Sequence, residues 1–280
     1  MPYWLKKKLP DPVAVNDTKE YLRGKILETV CVNSRCPNIG ECYSSGNVSF
    51  LIMGSKCTRS CAFCAIKHGE PEEIREREPD DIAMAVKDLA LKYVVLTSVT
   101  RDDLSDGGSG HYANVVKAIK KSSPETVIET LVPDFNGNKD FINTVLFSGI
   151  DVFSHNIETV NRLYESVRPK FDYRRSLSVL SHASIAKRII VKSGFMVGLG
   201  ENEDEVYELM SDIRKTGCKL LTVGQYLKPM GSSCEVVEFV EPGKFARFEK
   251  MARDLGFASA KCEPFVRSSY KAAELLNSAR

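Results

Sequence analysis

From residue 47 onward the chain repeats two rhythms. Short apolar runs rich in Val, Ile, Leu and Phe alternate with longer stretches whose apolar residues recur three and four positions apart. The first kind reads as a buried strand and the second as an amphipathic helix. Strands are expected at 47–53, 93–98, 126–132, 151–155, 189–197 and 220–225. Helices are expected at 79–91, 109–121, 139–147, from 159 to 186 with a break near Pro169, at 203–216 and at 242–255. Pro79 opens the first of these, with Asp80 as its expected N-cap. Six βα repeats with parallel strands predict an α/β fold, a partial (βα)6 barrel of the TIM type with right-handed crossovers. A flavodoxin-like open sheet is the alternative. Functional groups on the barrel gather at the C-terminal strand ends.

The first 46 residues lack this rhythm. Pro2, Pro10 and Pro12 suggest an arm laid over the surface. A helix is expected at 17–29, capped by Asp17 or Thr18, with Tyr21, Leu22 and Ile26 on one face. The next stretch, CVNSRCPNIGEC, contains Pro37 and Gly40 and reads as a loop. The expected organisation is an extension over 1–46, a barrel over 47–258 and a tail over 259–280.

Composition narrows the class. The 280 residues are 43% hydrophobic and 27% charged, an ordinary globular balance that suits one large domain with extensions. A net charge of +2 without an arginine-rich stripe argues against nucleic acid as a partner. No apolar run is long enough to span a membrane, so no membrane partner is expected. MPYWLKKKLP lacks the apolar core of a secretory signal, and its lysines read as a solvated run. The expected location is the cytoplasm, or an organellar matrix if a transit peptide has been removed.

The cysteines carry the chemistry. There are nine, an odd count without a secretory signal, which argues for free thiols in a reducing compartment. Cys57, Cys61 and Cys64 stand in CTRSCAFC with C-x3-C-x2-C spacing. Three thiolates on one short loop suit three corners of a cubane iron–sulfur cluster, leaving the fourth iron open to a substrate or cofactor. A zinc knuckle, or thiols buried as small apolar groups, are the plainer alternatives. Cys31, Cys36 and Cys42 form a second trio, C-x4-C-x5-C, also one ligand short. Zinc is again the alternative, but the first trio close by favours a second cluster. Cys218, Cys234 and Cys262 are scattered singly and read as structural.

C-x3-C-x2-C with Phe63 before the last cysteine resembles the radical S-adenosylmethionine enzymes. With the upstream C-x4-C-x5-C, the chain from about residue 20 to 275 resembles the lipoyl synthases. The stretch TSVTRDDLSDGGSGH matches that family at Thr97, Ser98, Arg101, Asp102, Asp103, Asp106, Gly107, Gly108 and His111. KSGFMVGLGE, TVGQYLKP and the RSSY of Arg267, Ser268, Ser269 and Tyr270 extend the likeness. Lys271 departs from it, since histidine is the expected residue there.

The resemblance implies two 4Fe-4S clusters and S-adenosylmethionine as cofactors. S-adenosylmethionine would bind the open iron of the Cys57, Cys61 and Cys64 cluster, with the Phe63 backbone at its adenine, and be cleaved to a 5′-deoxyadenosyl radical. A serine oxygen, Ser269 in preference to Ser268, would complete the Cys31, Cys36 and Cys42 cluster. Oxygen is a hard donor and binds such iron weakly, which suits a cluster consumed as sulfur donor. Asn156, Glu158, Arg168 and Lys192 are candidates for the amino-acid end and ribose of S-adenosylmethionine, with Arg168 and Lys192 suited to carboxylates. Taken singly, each reads as a surface or salt-bridged residue.

The implied activity is sulfur insertion at C6 and C8 of an octanoyl chain on a lysine of a lipoyl carrier domain. Such domains belong to 2-oxoacid dehydrogenase complexes and to the H protein of glycine cleavage. A ferredoxin or flavodoxin reductant, a carrier that rebuilds the spent cluster and a monomeric state complete the expectation. Another sulfur-inserting or dehydrogenating radical enzyme, a two-cluster electron carrier and a zinc-bound interaction module remain as alternatives.

Overall fold

A computed structural model of the chain describes residues 2–7, 12–229 and 231–279, the side chains of 12–14 excepted. Two compact units emerge. The N-terminal unit holds the described residues from 12 to Arg59 together with Ala65–Phe153. The C-terminal unit holds residues 2–7, Ser60–Cys64 and the chain from Ser154 onward.

In the N-terminal unit, α1 (Pro12–Gly24) opens on a proline, whose missing N–H costs nothing in a first turn. Asp17 and Thr18 therefore lie inside this helix and do not cap it. Gly24 ends it, and Ile26 turns left-handed at φ 55°, so the helix stops short of 29. Thr29 Oγ1 then accepts the Val32 N–H and caps α2 (Val30–Asn33), and α3 (Ile39–Ser44) follows. The expected loop CVNSRCPNIGEC is thus two short helices joined by a turn.

The unit continues through β1 (Val48–Ile52), β2 (Lys56–Cys57), β3 (Lys67–His68), α4 (Glu78–Asp88), β4 (Tyr93–Ser98), α5 (Ser109–Ser122), β5 (Val127–Leu131), α6 (Lys139–Leu146) and the first two residues of β6 (Val152–Ser154). β1, β4 and β5 pair in parallel. The N-cap of α4 is Arg77, with Pro79 inside the first turn. Asp80 lies in that turn too, where its charge faces the positive end of the helix dipole instead of capping it. Phe50, Ile52, Val94, Leu96 and Ile128 of the strands and Ile82, Val86, Val115, Ile119, Ile142 and Val145 of the helices are buried. Each such side chain contributes roughly 1.5–3 kcal/mol.

In the C-terminal unit the elements are α7 (Tyr164–Val167), α8 (Tyr173–Ala183), β7 (Ile190–Val197), α9 (Glu203–Lys215), β8 (Leu220–Gln225), α10 (Pro242–Asp254), β9 (Ser259–Cys262) and α11 (Ala272–Asn277). Arg168 leaves the helical region before Pro169, the conformation proline favours in the residue ahead of it, and separates α7 from α8. Asp172 caps α8, and a capping box of Asn202 and Glu205 opens α9. β7, β8 and β9 pair in parallel. β9 and α11 were not among the expected elements. The half-buried sequence SAKC of β9 carries too little apolar signal to announce a strand.

The strands form a seven-stranded sheet in the order β1-β4-β5-β6-β7-β8-β9, with β2 and β3 as a separate parallel pair. This is the α/β class expected, with one strand more than six. No described helix is long and apolar enough to cross a membrane.

Candidate functional site

The upstream trio belongs to the N-terminal unit. Cys31 is buried in α2, Cys42 lies in α3, and Cys36 follows the turn between them. The Cys36 N–H closes that turn on the Cys31 carbonyl at 3.0 Å. All three thiols bear electrostatically on the Tyr43 phenol, whose oxygen lies 2.8 Å from Thr29 Oγ1. Burial, aided by Cys36, pushes the Cys31 thiol up to about 11. Such a thiol keeps its proton until a metal takes its place. All nine cysteines are free, so none of the six is lost to a disulfide.

Among the described residues, no three His, Cys, Asp or Glu side chains are gathered closely enough to hold one metal ion. A single zinc needs its donors within about 2.3 Å of one point, whereas a cubane takes one thiolate at each of several irons. The donor set, soft thiols on short backbone turns, suits iron–sulfide chemistry.

In the same unit Cys57 ends β2, which pairs with β3. Its carbonyl accepts the Gly69 N–H at 3.1 Å. Its Sγ accepts two backbone N–H groups, from Thr100 at 3.2 Å and Arg59 at 3.4 Å. The Arg59 guanidinium is buried. It donates to both oxygens of Asp102 at 2.7 and 2.8 Å, to Asp134 at 2.8 Å and to Asn136 at 2.9 Å. These bonds, led by Arg59, hold the Asp102 carboxyl below its ordinary value.

The polar stretch after β4 is largely spent on itself. Arg101 pairs with Asp103 and donates to the Met53 carbonyl. Asp106 accepts the Gly108 and Gly110 N–H groups at the start of α5. His111 Nε2 lies 2.6 Å from Glu78, which also accepts the Met53 N–H.

Cys61 and Cys64 belong to the C-terminal unit. The Cys64 N–H reaches the Cys61 carbonyl at 3.1 Å, and the Ala62 N–H reaches Val167 O at 3.0 Å. The Ala62 carbonyl accepts from Ser232 Oγ at 2.6 Å, and Ser232 in turn meets the Tyr226 hydroxyl at 2.8 Å. Phe63 packs against Val167, Leu199 and Tyr226.

The residues picked from the strand ends meet in this unit. Asn156 Oδ1 accepts from Ser268 Oγ at 3.0 Å. Its carbonyl accepts from Arg168 Nη1 at 2.8 Å. Arg168 also donates to the Tyr164 hydroxyl, and its guanidinium stacks 3.8 Å from the Phe171 ring centroid. Glu158 adopts φ 73°, and desolvation raises its carboxyl while Arg168, Asn156 and Arg267 oppose the rise. Lys192 has no exposed surface, and its Nζ donates to the Ser268 carbonyl at 2.6 Å.

Gly224 in β8 explains how RSSY comes so near, since a Cβ there would collide with the Val266 carbonyl oxygen. Ser269 Oγ, half-buried, makes no hydrogen bond to any described residue. Ser154 Oγ, Thr159 Oγ1 and Arg168 Nε are enclosed without a hydrogen-bond partner among the described residues, which suits a polar ligand.

Sequence reasoning missed Arg59, Tyr226 and Ser232. The signal for Arg59 was a lone cation inside the cysteine loop of a chain with three aspartates in the RDDLSD stretch.

Residues 51–213 match the Radical SAM superfamily. Lipoyl synthase from Caldicellulosiruptor saccharolyticus is 48% identical over 274 residues, which span 98% of this chain and 96% of the relative. Lipoyl synthase from Rubrobacter xylanophilus is 46% identical over 280 residues, spanning 100% and 87%. Lipoyl synthase from Caldanaerobacter subterraneus is 46% identical over 280 residues, spanning 100% and 98%. Among solved structures, methylornithine synthase (PylB) superposes with a TM-score of 0.58 at 15% identity, covering 85% of this chain and 73% of its own. HydG, a maturase of the FeFe-hydrogenase, gives 0.60 at 13%, covering 90% and 57%. The structural likeness carries the fold, and the near full-length identity carries the family. With its strand order, its two cysteine trios and its anchored serine motif, the chain belongs to the lipoyl synthases of the radical S-adenosylmethionine superfamily.

Proposed function

We propose that this chain inserts two sulfur atoms, at C6 and C8, into an octanoyl group held in amide linkage on a lysine of a lipoyl carrier domain. The observation that carries the reading is the presence of two separate trios of free thiols in a chain whose serine motif is tied down by Lys192. An unactivated methylene offers no acidic proton, so acid–base catalysis has nothing to act on. When bound at Cys57, Cys61 and Cys64, the first cluster with S-adenosylmethionine supplies the 5′-deoxyadenosyl radical that such a C–H bond requires.

The chain's own residues bind and orient. Phe63, packed on Val167, Leu199 and Tyr226, gives the cofactor end of the loop an apolar backing that excludes water. Asn156, Glu158, Arg168 and the unpartnered Thr159 Oγ1 offer polar groups for the cofactor's amino-acid and ribose parts. Lys192 spends a hydrogen bond on the serine motif, which favours a supporting role for it over direct contact with a carboxylate. Cys31, Cys36 and Cys42, with Ser269 as the fourth donor, would hold the second cluster, whose sulfide is the substrate consumed. Ser269 is preferred because the Ser268 hydroxyl is committed to Asn156. A low-potential ferredoxin or flavodoxin supplies electrons, and a cluster carrier restores the spent site.

The test is incubation of the anaerobically reconstituted protein with an octanoyl-lysine peptide, dithionite and S-adenosylmethionine, read by mass spectrometry. The expected product is the dihydrolipoyl peptide, carrying two sulfurs. Formation of an alkene, or of no product beside two intact clusters, would overturn the reading.

A further inference from the structure

Arg59 sits between the first and second cysteines of CTRSCAFC, yet it is only 3% exposed. The described hydrogen bonds of its guanidinium end on two turns of the N-terminal unit. Asp102 lies in the turn after β4, and Asp134 and Asn136 lie in the turn after β5. A planar fork gripped by three residues fixes both position and orientation, which a lysine ammonium could not reproduce. Thr58 adds a parallel tie, its Oγ1 donating to the Thr100 carbonyl at 2.9 Å. Between these ties sits Cys57 Sγ, with the Arg59 and Thr100 amides both directed at it.

Hydrogen bonds to the sulfurs of an iron–sulfur cluster set its reduction potential. An N–H dipole on a ligand sulfur favours the state with the extra electron, so losing it lowers the potential. We propose that Arg59 is a positioning residue: by clamping residues 57–59 to Asp102, Asp134 and Asn136, it keeps two amides on the Cys57 sulfur and thereby sets the potential of the cluster that Cys57 helps to hold. The proposal rests on the reading that Cys57, Cys61 and Cys64 bind such a cluster. A mere brace would affect folding and iron loading but would leave the potential alone.

The test is an electron paramagnetic resonance redox titration of the anaerobically reconstituted full chain. The signal followed is the one that changes on adding S-adenosylmethionine, which assigns it to the cluster with the open iron. Wild type is compared with Arg59→Lys, Asp134→Asn and the milder Asn136→Ala. The expected result is a shift to more negative potential in all three, largest for Arg59→Lys and smallest for Asn136→Ala, in protein with wild-type iron content. Potentials that coincide with wild type in every variant that loads iron would overturn the proposal. Should Arg59→Lys fail to load, Asp134→Asn and Asn136→Ala decide it on the same criterion. Absence of any S-adenosylmethionine-responsive signal in wild type would instead sink the cluster reading beneath it.

Discussion

Lys192 Nζ, on a strand position without exposed surface, donates a 2.6 Å hydrogen bond to the carbonyl oxygen of Ser268. A buried ammonium is thereby set against the backbone of the motif that carries Ser269. Lys192→Met keeps the bulk but strands that carbonyl, a loss of about 1–3 kcal/mol. The expected outcome is a lower urea midpoint together with a reduced content of the serine-held cluster. Unchanged stability and iron content would count against the supporting role.

The two serines should separate in assay. Ser269→Ala is expected to stop sulfur insertion while 5′-deoxyadenosine continues to form. Ser268→Ala removes a hydrogen bond to Asn156 and should weaken both activities only partly. Chromatography of 5′-deoxyadenosine and mass spectrometry of the peptide, run on the same samples, distinguish them. Equal loss of both activities in each variant would contradict the assignment.

Gly224→Ala reverses an ordinary expectation. In a strand interior, alanine stabilises over glycine by roughly 0.5–1 kcal/mol. Here the added Cβ meets the Val266 carbonyl, two residues before Ser268. The substitution should therefore destabilise the fold and impair sulfur insertion. Thermal unfolding gives the sign directly.

The chemistry was easier to read from the sequence than its supports. Thiolates must sit at fixed short spacings to share a cluster, so both trios stand out in the linear chain. β4 and β8 match their expected bounds because buried strands are continuous apolar runs between polar turns. The four-residue α2 and six-residue α3 are too short to show a period and depend on local features such as the Thr29 cap. The Arg59 clamp was invisible because its carboxylate partners lie 43 and 75 residues away. Asn156, Arg168 and Lys192 stood out as polar candidates for the cofactor, and Ser268 through the RSSY likeness. Their hydrogen bonds to one another and to backbone follow only from the fold.

Acid should reveal the Arg59–Asp102 pair. Its hydrogen bonds hold the Asp102 carboxyl below the ordinary 3.8 against the opposing effect of burial. A depressed carboxyl pKa stabilises the fold at neutral pH, and that contribution fades as pH falls through the folded-state value. Asp102→Asn should therefore be less stable than wild type at pH 7, with the difference shrinking below about pH 4. Urea unfolding of the metal-free proteins across that range checks the slope. A constant difference at every pH would contradict it.

Cys31 offers a second pH signature. Its thiol, pushed to about 11 chiefly by burial, should resist alkylation at pH 8 in the metal-free protein. Reaction should accelerate as pH rises toward that value, and peptide mapping after iodoacetamide treatment would show it. Rapid labelling of Cys31 at pH 8 would contradict the buried geometry.

The most direct measurement is iron and acid-labile sulfide per chain after anaerobic reconstitution, in wild type and in chains lacking one cysteine trio. Two clusters require about eight irons in wild type and about four when either Cys31, Cys36 and Cys42 or Cys57, Cys61 and Cys64 are replaced by alanine. About four irons in wild type, or zinc in their place, would contradict the account.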